Sequence, residues 1–272
     1  MNEFVSIFKV NERIVKQSIK AERIDSGDNI VLFEQDTSPA KNTPWVNKGF
    51  TIEKFLSENK ISTFKFGISN IVEKFVKKYT STSNFNLEKY HLFVDNTIHG
   101  KIIGEIQAGS QGIGGIPLDL FPIEIELVED RISQICGVPV TCRKTSAGYP
   151  VRHFWIRIIR PNVQDNNPPH RDVHLDRSRG AVNLYFPIAG SNENSSLPII
   201  PESHFWPESH IVRSYGDTYV NDIKFTNPAT VYSLHGLNLV TPNPGPDEAM
   251  VFTTYAIHGG GYNFNEDMTR LS

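Results

Sequence analysis

The chain predicts a mainly β fold with helices: a double-stranded β-helix, the cupin-like jelly roll, with helices packed on one of its sheets. Three observations carry that expectation. Beyond Gly137 the sequence breaks into many short β-branched or aromatic runs. Clusters of Pro, Gly and Asn separate those runs. Two runs with apolar residues at helical spacing precede Gly137.

Taken in order, the first part, to about Gly109, is rich in Lys and Asn and mixed in pattern. Within it Ile68, Ile71, Val72, Phe75, Val76 and Tyr79 predict an amphipathic helix over about residues 69–79. The tract G-S-Q-G-I-G-G at residues 109–115 lacks the strand-to-helix setting of a phosphate loop, so it reads as a flexible loop and a candidate lid. A second helix is predicted over residues 121–136. It has Pro122 near its first turn, Ile125, Val128, Ile132 and Ile135 along one face, and Gly137 as its stop. Five runs then read as strands: V-P-V-T-C-R-K from Val138, H-F-W-I-R-I-I-R-P from His153, V-H-L-D from Val173, A-V-N-L-Y-F-P-I from Ala181 and A-M-V-F-T-T-Y-A-I from Ala249. Many short strands with turn punctuation suit a sandwich or barrel, and a jelly roll also suits a metal-bearing mouth. There is no internal repeat. The expectation is one domain over residues 1–272, with a helix-rich portion to about 137 and a jelly-roll portion over about 138–272.

Composition narrows the function. Hydrophobic content of 39% and aromatics at 11% fit a soluble globular protein with a core. A formal net charge of −3 argues against nucleic acid or an anionic membrane as partner. No apolar run approaches the ~18 residues of a membrane span, and the first residues lack the basic and apolar regions of a secretory signal. Cys136 and Cys142 alone make neither a disulfide framework nor a zinc spacing. A reducing, cytoplasmic setting is expected.

The most informative stretch is P-P-H-R-D-V-H at residues 168–174. In a run read as a strand, His170 and Asp172 point to one face. One more His would complete a 2-His-1-carboxylate facial triad, which holds non-haem Fe(II) by three corners and leaves three open. His258 supplies it. This residue follows an apolar strand and precedes three glycines, where a side chain can face a pocket while the backbone turns sharply. Arg270, with Ser272 on the same strand face, is a candidate anchor for a carboxylate.

Competing assignments stand beside these. His174 and Asp176 form a second His-x-Asp, so a register four residues later is open, with His170 and Asp172 preferred. His174 would then face substrate or support a ligand. His204 reads as a structural or rim residue, and His235 as a core histidine without a suitably spaced downstream Arg. His91, His99, His153 and His210 read as ordinary. The cluster of Arg171, Arg177 and Arg179 suits either an anionic substrate or, preferably, a solvated loop. Arg157 and Arg160 are candidates to touch co-substrate or substrate.

H-R-D-V-H, then L-P-I-I-P-E-S-H-F at residues 197–205, then H-G-G-G-Y-N and T-R-L-S, together resemble the phytanoyl-CoA dioxygenase family of Fe(II)/2-oxoglutarate oxygenases. The resemblance covers about residues 151–272. Glu202 stands where the family often has Gly, and the family pattern leads one to expect the last strand to continue past Ser272. The resemblance implies that His170, Asp172 and His258 ligate iron, and that Arg270, assisted by Ser272, binds the distal carboxylate of 2-oxoglutarate. A planar guanidinium forks onto a carboxylate as Lys cannot. It further implies use of O2 and hydroxylation of a small molecule with release of succinate and CO2. Asp172 disfavours a halogenase, in which a small residue replaces the acidic ligand. The rivals are a cupin-like jelly roll with other metal chemistry and a catalytically silent binding module.

Overall fold

The structure is a computed structural model, and it describes every residue except Ser83, residues 109–114 and Asn166. The candidate lid therefore lies outside the described residues apart from Gly115. Among the described residues the fold is mainly β with helices, built of several antiparallel sheets none of which closes on itself.

It begins with two strands that the sequence pattern did not reveal. Asn2–Val10 and Arg13–Ala21 pair along their full length. The turn residues Asn11 and Glu12 both take positive φ, of 45° and 66°, which matches the right-handed twist of the flanking strands. Phe8, Val10, Val15 and Ile19 point into the core, while Val5, Ile7 and Ile14 stay exposed on the other face. Apolar residues on both faces erase the alternation by which a half-buried strand is recognised. The N-terminal portion is thus not simply helix-rich. Thr218–Val220 extends this sheet on one side, and Asn238–Leu239 joins it in parallel on the other.

At the centre lies Glu248–Thr253, flanked antiparallel by Phe50–Lys54 and Val182–Tyr185. Both its faces are buried, which explains its unbroken apolar run. Met250 and Phe252 pack with Tyr185 and Ile199, whereas Ala249 and Val251 face the helices. Further on, Arg270–Leu271 pairs with Ile158–Ile159, and Tyr262–Asn263 with Val163–Gln164.

The helices cover one side of that central sheet. Glu58–Lys77 is longer than expected, because Ile61, Phe64 and Ile68 carry the buried stripe upstream of Val72 and Val76. The second helix spans Ile125–Cys136, not 121–136. Pro122 disfavours helical backbone at Phe121, which is extended at ψ 126°. Gly137 ends the helix at φ 69°, in the left-handed cap that glycine adopts without strain. A further helix, Asn96–Ala108, had no sequence expectation. Among the described residues no helix is long and apolar enough to cross a membrane.

Two expected strands do not form. In the run from Val138, the backbone N–H of Val140 donates to Ser133 Oγ (3.0 Å) and that of Cys142 to Glu129 Oε1 (2.7 Å), so helix side chains take the donors a ladder would need. The run at Val173 instead folds into two successive 3-10 turns, Asp172–His174 and Asp176–Ser178. The N–H of Leu175 closes the first on the Asp172 carbonyl (2.9 Å).

Candidate metal centre

His170 and His258 sit directly opposite one another across an antiparallel bridge. His170 N–H donates to the His258 carbonyl (2.9 Å) and His258 N–H to the His170 carbonyl (3.0 Å). Directly opposed residues project to the same side, and the two ring centroids lie 4.5 Å apart. Asp172 reaches them through the 3-10 turn, not through a shared strand face as the spacing suggested. Its Oδ1 is 3.2 Å from His170 Nε2 and its Oδ2 is 3.4 Å from His258 Nε2. One ligand atom from each residue lies within 4.8 Å of the others.

Hydrogen bonds assign the tautomers. His170 Nδ1–H donates to the Pro168 carbonyl (2.7 Å), and His258 Nδ1–H to that of Ala256 (3.1 Å). In the neutral rings each Nε2 is then a lone pair aimed at the carboxylate. Burial lowers the His258 pKa to about 4 against the opposing pull of Asp172, so at neutral pH no proton bridges the two. Burial pushes the Asp172 carboxyl upward, but His258, His170 and Asn183 outweigh it and hold it below the usual carboxylate range. Two imidazole nitrogens and a carboxylate facing one another at this distance repel until a cation lies between them. The donor set therefore fits a metal ion and leaves coordination positions free for other ligands.

Neighbours hold the three in place. Asn183 Nδ2 donates to Asp172 Oδ2 (2.7 Å) and Asn227 Nδ2 to Oδ1 (2.9 Å). Gly259, at φ 95°, packs where a Cβ would lie 2.6 Å from the Pro168 carbonyl and 3.0 Å from His170 Nδ1. Beneath the loop, Arg171 is fully buried. It forms an ion pair with Glu208 and donates to the carbonyls of Ser203 and Trp206. Arg171 is therefore part of the buried core and not of a solvated loop, as its place in a basic cluster suggested. Asn183 offered a faint signal, as the one amide in an otherwise apolar strand, but Asn227 and Glu208 offered none.

The triad opens into a cavity of about 380 Å³ whose wall also includes Arg270 and Ser272. Arg270 is only 1% exposed. Its Nη2 donates to Ser272 Oγ (2.7 Å) and its Nη1 to the Ser195 carbonyl (3.2 Å), while Nε has no partner. It lies over the Tyr185 ring at 5.2 Å, and no described carboxylate pairs with it. A buried guanidinium without a counter-ion is costly unless an anion joins it.

The remaining candidates do not join the triad. His174 Nε2 contacts Glu208 Oε2 at 2.9 Å, and Asp176 is exposed beside Arg179, so the later His-x-Asp register is not assembled. Arg179 Nη1 donates to both carboxylate oxygens of Asp36. Arg177 and Arg157 line the metal cavity, whereas Arg160 does not. His204 Nε2–H donates to the Val46 carbonyl (2.8 Å), and His235 stacks on Trp206 and contacts His210.

No protein-family model matches the chain, and no curated protein matches it. Among solved structures the chain is similar to AviO1 from Streptomyces viridochromogenes Tue57, at 16% identity over 84% of this chain and 89% of that one, with a TM-score of 0.45.

Proposed function

We propose that this protein is an Fe(II)- and 2-oxoglutarate-dependent dioxygenase that hydroxylates a small-molecule metabolite, on a jelly roll resembling the phytanoyl-CoA dioxygenase family. The observation that carries the reading is a pairing within one cavity. Two bare imidazole nitrogens and a carboxylate converge on a cation position, and a buried guanidinium on the same wall lacks an anion.

His170, Asp172 and His258 would hold the iron on one face and leave the cavity side open. When bound there, iron with 2-oxoglutarate and O2 supplies the oxidising chemistry, with succinate and CO2 as co-products. The chain's own residues do the remaining work. Arg270 and Ser272 fix the far carboxylate of the co-substrate and so orient its keto acid end. Asn183 and Asn227 hold the Asp172 carboxylate in position. Phe252 and Leu197 on the cavity wall limit water at the centre.

The test is anaerobic addition of Fe(II) and 2-oxoglutarate to the purified protein. A weak visible charge-transfer band that is lost in Arg270→Ala, with succinate formed on admitting oxygen, supports the reading. Metal binding with neither band nor succinate favours a cupin-like centre of other chemistry. No metal binding at all favours a silent binding module.

A further inference from the structure

Beside the metal cavity lies a second one, also of about 380 Å³ and of different character. It sits between the Glu58–Lys77 and Ile125–Cys136 helices and the central sheet, with Phe64, Val128 and Leu184 on its wall. Its volume lies in the ~300–1,000 Å³ range of small-molecule sites. Trp155, Leu184, Phe186 and Ser272 line both cavities, so the two share a wall made of these residues.

The lining is unusually aromatic. Phe55, Phe64, Phe121, Phe154, Trp155 and Phe186 all contribute. The five phenylalanine rings already form a chain of tilted and edge-on contacts. Phe55 and Phe64 lie 5.5 and 5.4 Å from Phe186, Phe121 lies 5.1 Å from Phe64, and Phe154 lies 5.0 Å from Phe121 at 90°. A planar ring entering this space continues the pattern, and each aromatic pair adds attraction beyond the area it buries. A linear alkyl chain gains only the area term.

We infer that this aromatic-lined cavity seats the body of an aromatic or fused-ring substrate, whose reacting carbon reaches the metal cavity past Trp155, Leu184, Phe186 and Ser272. That the ligand is a substrate rests on the dioxygenase reading; that the cavity binds it does not.

The probes are 1-naphthol and 1-decanol, matched in carbon number, titrated into the full chain by calorimetry. Each affinity is compared with the probe's own partitioning from water into octanol. On that scale 1-naphthol is expected to bind one site roughly tenfold better than 1-decanol. Leu118→Trp and Val151→Trp, both at partly exposed wall positions, fill the space and are expected to weaken 1-naphthol roughly tenfold or more with circular dichroism unchanged. Absence of saturable binding, equal standing of the two probes, or full binding by both folded blocking variants would overturn the inference. Fe(II) uptake by the parent, measured in parallel, separates the two claims. Uptake by the parent without 1-naphthol binding removes this inference alone. Binding of 1-naphthol by a parent that takes up no metal removes the dioxygenase reading and the substrate assignment, and leaves a ligand site.

Discussion

His170 and His258 exchange both of their backbone hydrogen bonds with each other, so two imidazoles from distant parts of the chain are positioned by a single rung of ladder. Ring spacing is then fixed by backbone geometry before any ion arrives. Such a centre is pre-organised on the histidine side, and its adjustable member is the carboxylate on the turn.

That division sets the first expectation. Asn183→Ala removes the 2.7 Å donor to Asp172 Oδ2 while leaving the ligands intact. Metal affinity should fall about 10–100-fold, the usual effect of losing a group that orients a ligand. A competition titration with a chelating dye measures it, and Asn227→Ala should act in the same direction through Oδ1.

Gly259→Ala should damage both fold and site. The new methyl would press on the Pro168 carbonyl that receives the His170 proton, at a backbone φ of 95°. Backbone strain of this kind costs about 1–3 kcal/mol. Urea unfolding of metal-free protein reads the stability, and loss of metal uptake by the folded fraction reads the disturbed imidazole.

Glu208→Ala leaves the Arg171 guanidinium buried without its anion, with Arg213 also freed. Breaking a buried pair on one side costs about 3–5 kcal/mol. The variant should melt well below the parent, and the double variant Arg171→Met/Glu208→Leu should recover much of the loss, since the fully buried lone charge is then gone and only the partly exposed Arg213 stays unpaired.

Acid should weaken the fold partly through His204. Burial, offset by the Val46 hydrogen bond, lowers its pKa from 6.5 to about 4. The unfolded chain thus binds a proton that the folded one refuses between these values. Stability from this group is full above about pH 6.5 and is lost as pH falls toward 4, by as much as about 3 kcal/mol. Urea midpoints across that window should decline less steeply in His204→Gln than in the parent.

Glu202 occupies left-handed backbone at φ 63° in the turn before His204. Glu202→Gly should stabilise the protein by up to about 1 kcal/mol, because the strain removed slightly exceeds the added freedom of the unfolded chain. A rise in the thermal midpoint checks this.

Much of the molecule was legible in the sequence, for reasons particular residues make plain. The central strand and both expected helices announced themselves because burial of whole faces leaves an apolar pattern, as at Met250 and Val251 or at Val72 and Val76. The spacing of His170, Asp172 and His258 also pointed to residues that the fold brings together, although the turn that delivers Asp172 was misread as a strand. What remained hidden was non-local. Asn183 and Asn227 matter only because of where the chain returns, and Arg171 reads as surface charge until Glu208 is beside it. The first hairpin was obscured by its own outward aliphatic residues.

Those outward residues bear on solubility. Across the hairpin Ile7 stands opposite Lys16, and Ile14 opposite Lys9. Both isoleucines on this open face thus have an ammonium group as cross-strand neighbour, a common safeguard against sheet-to-sheet adhesion, while Val5 stands opposite Ser18. Acetylating or replacing these two lysines would leave a continuous greasy ribbon, and the protein would be expected to precipitate from concentrated solution while its metal cavity stayed untouched.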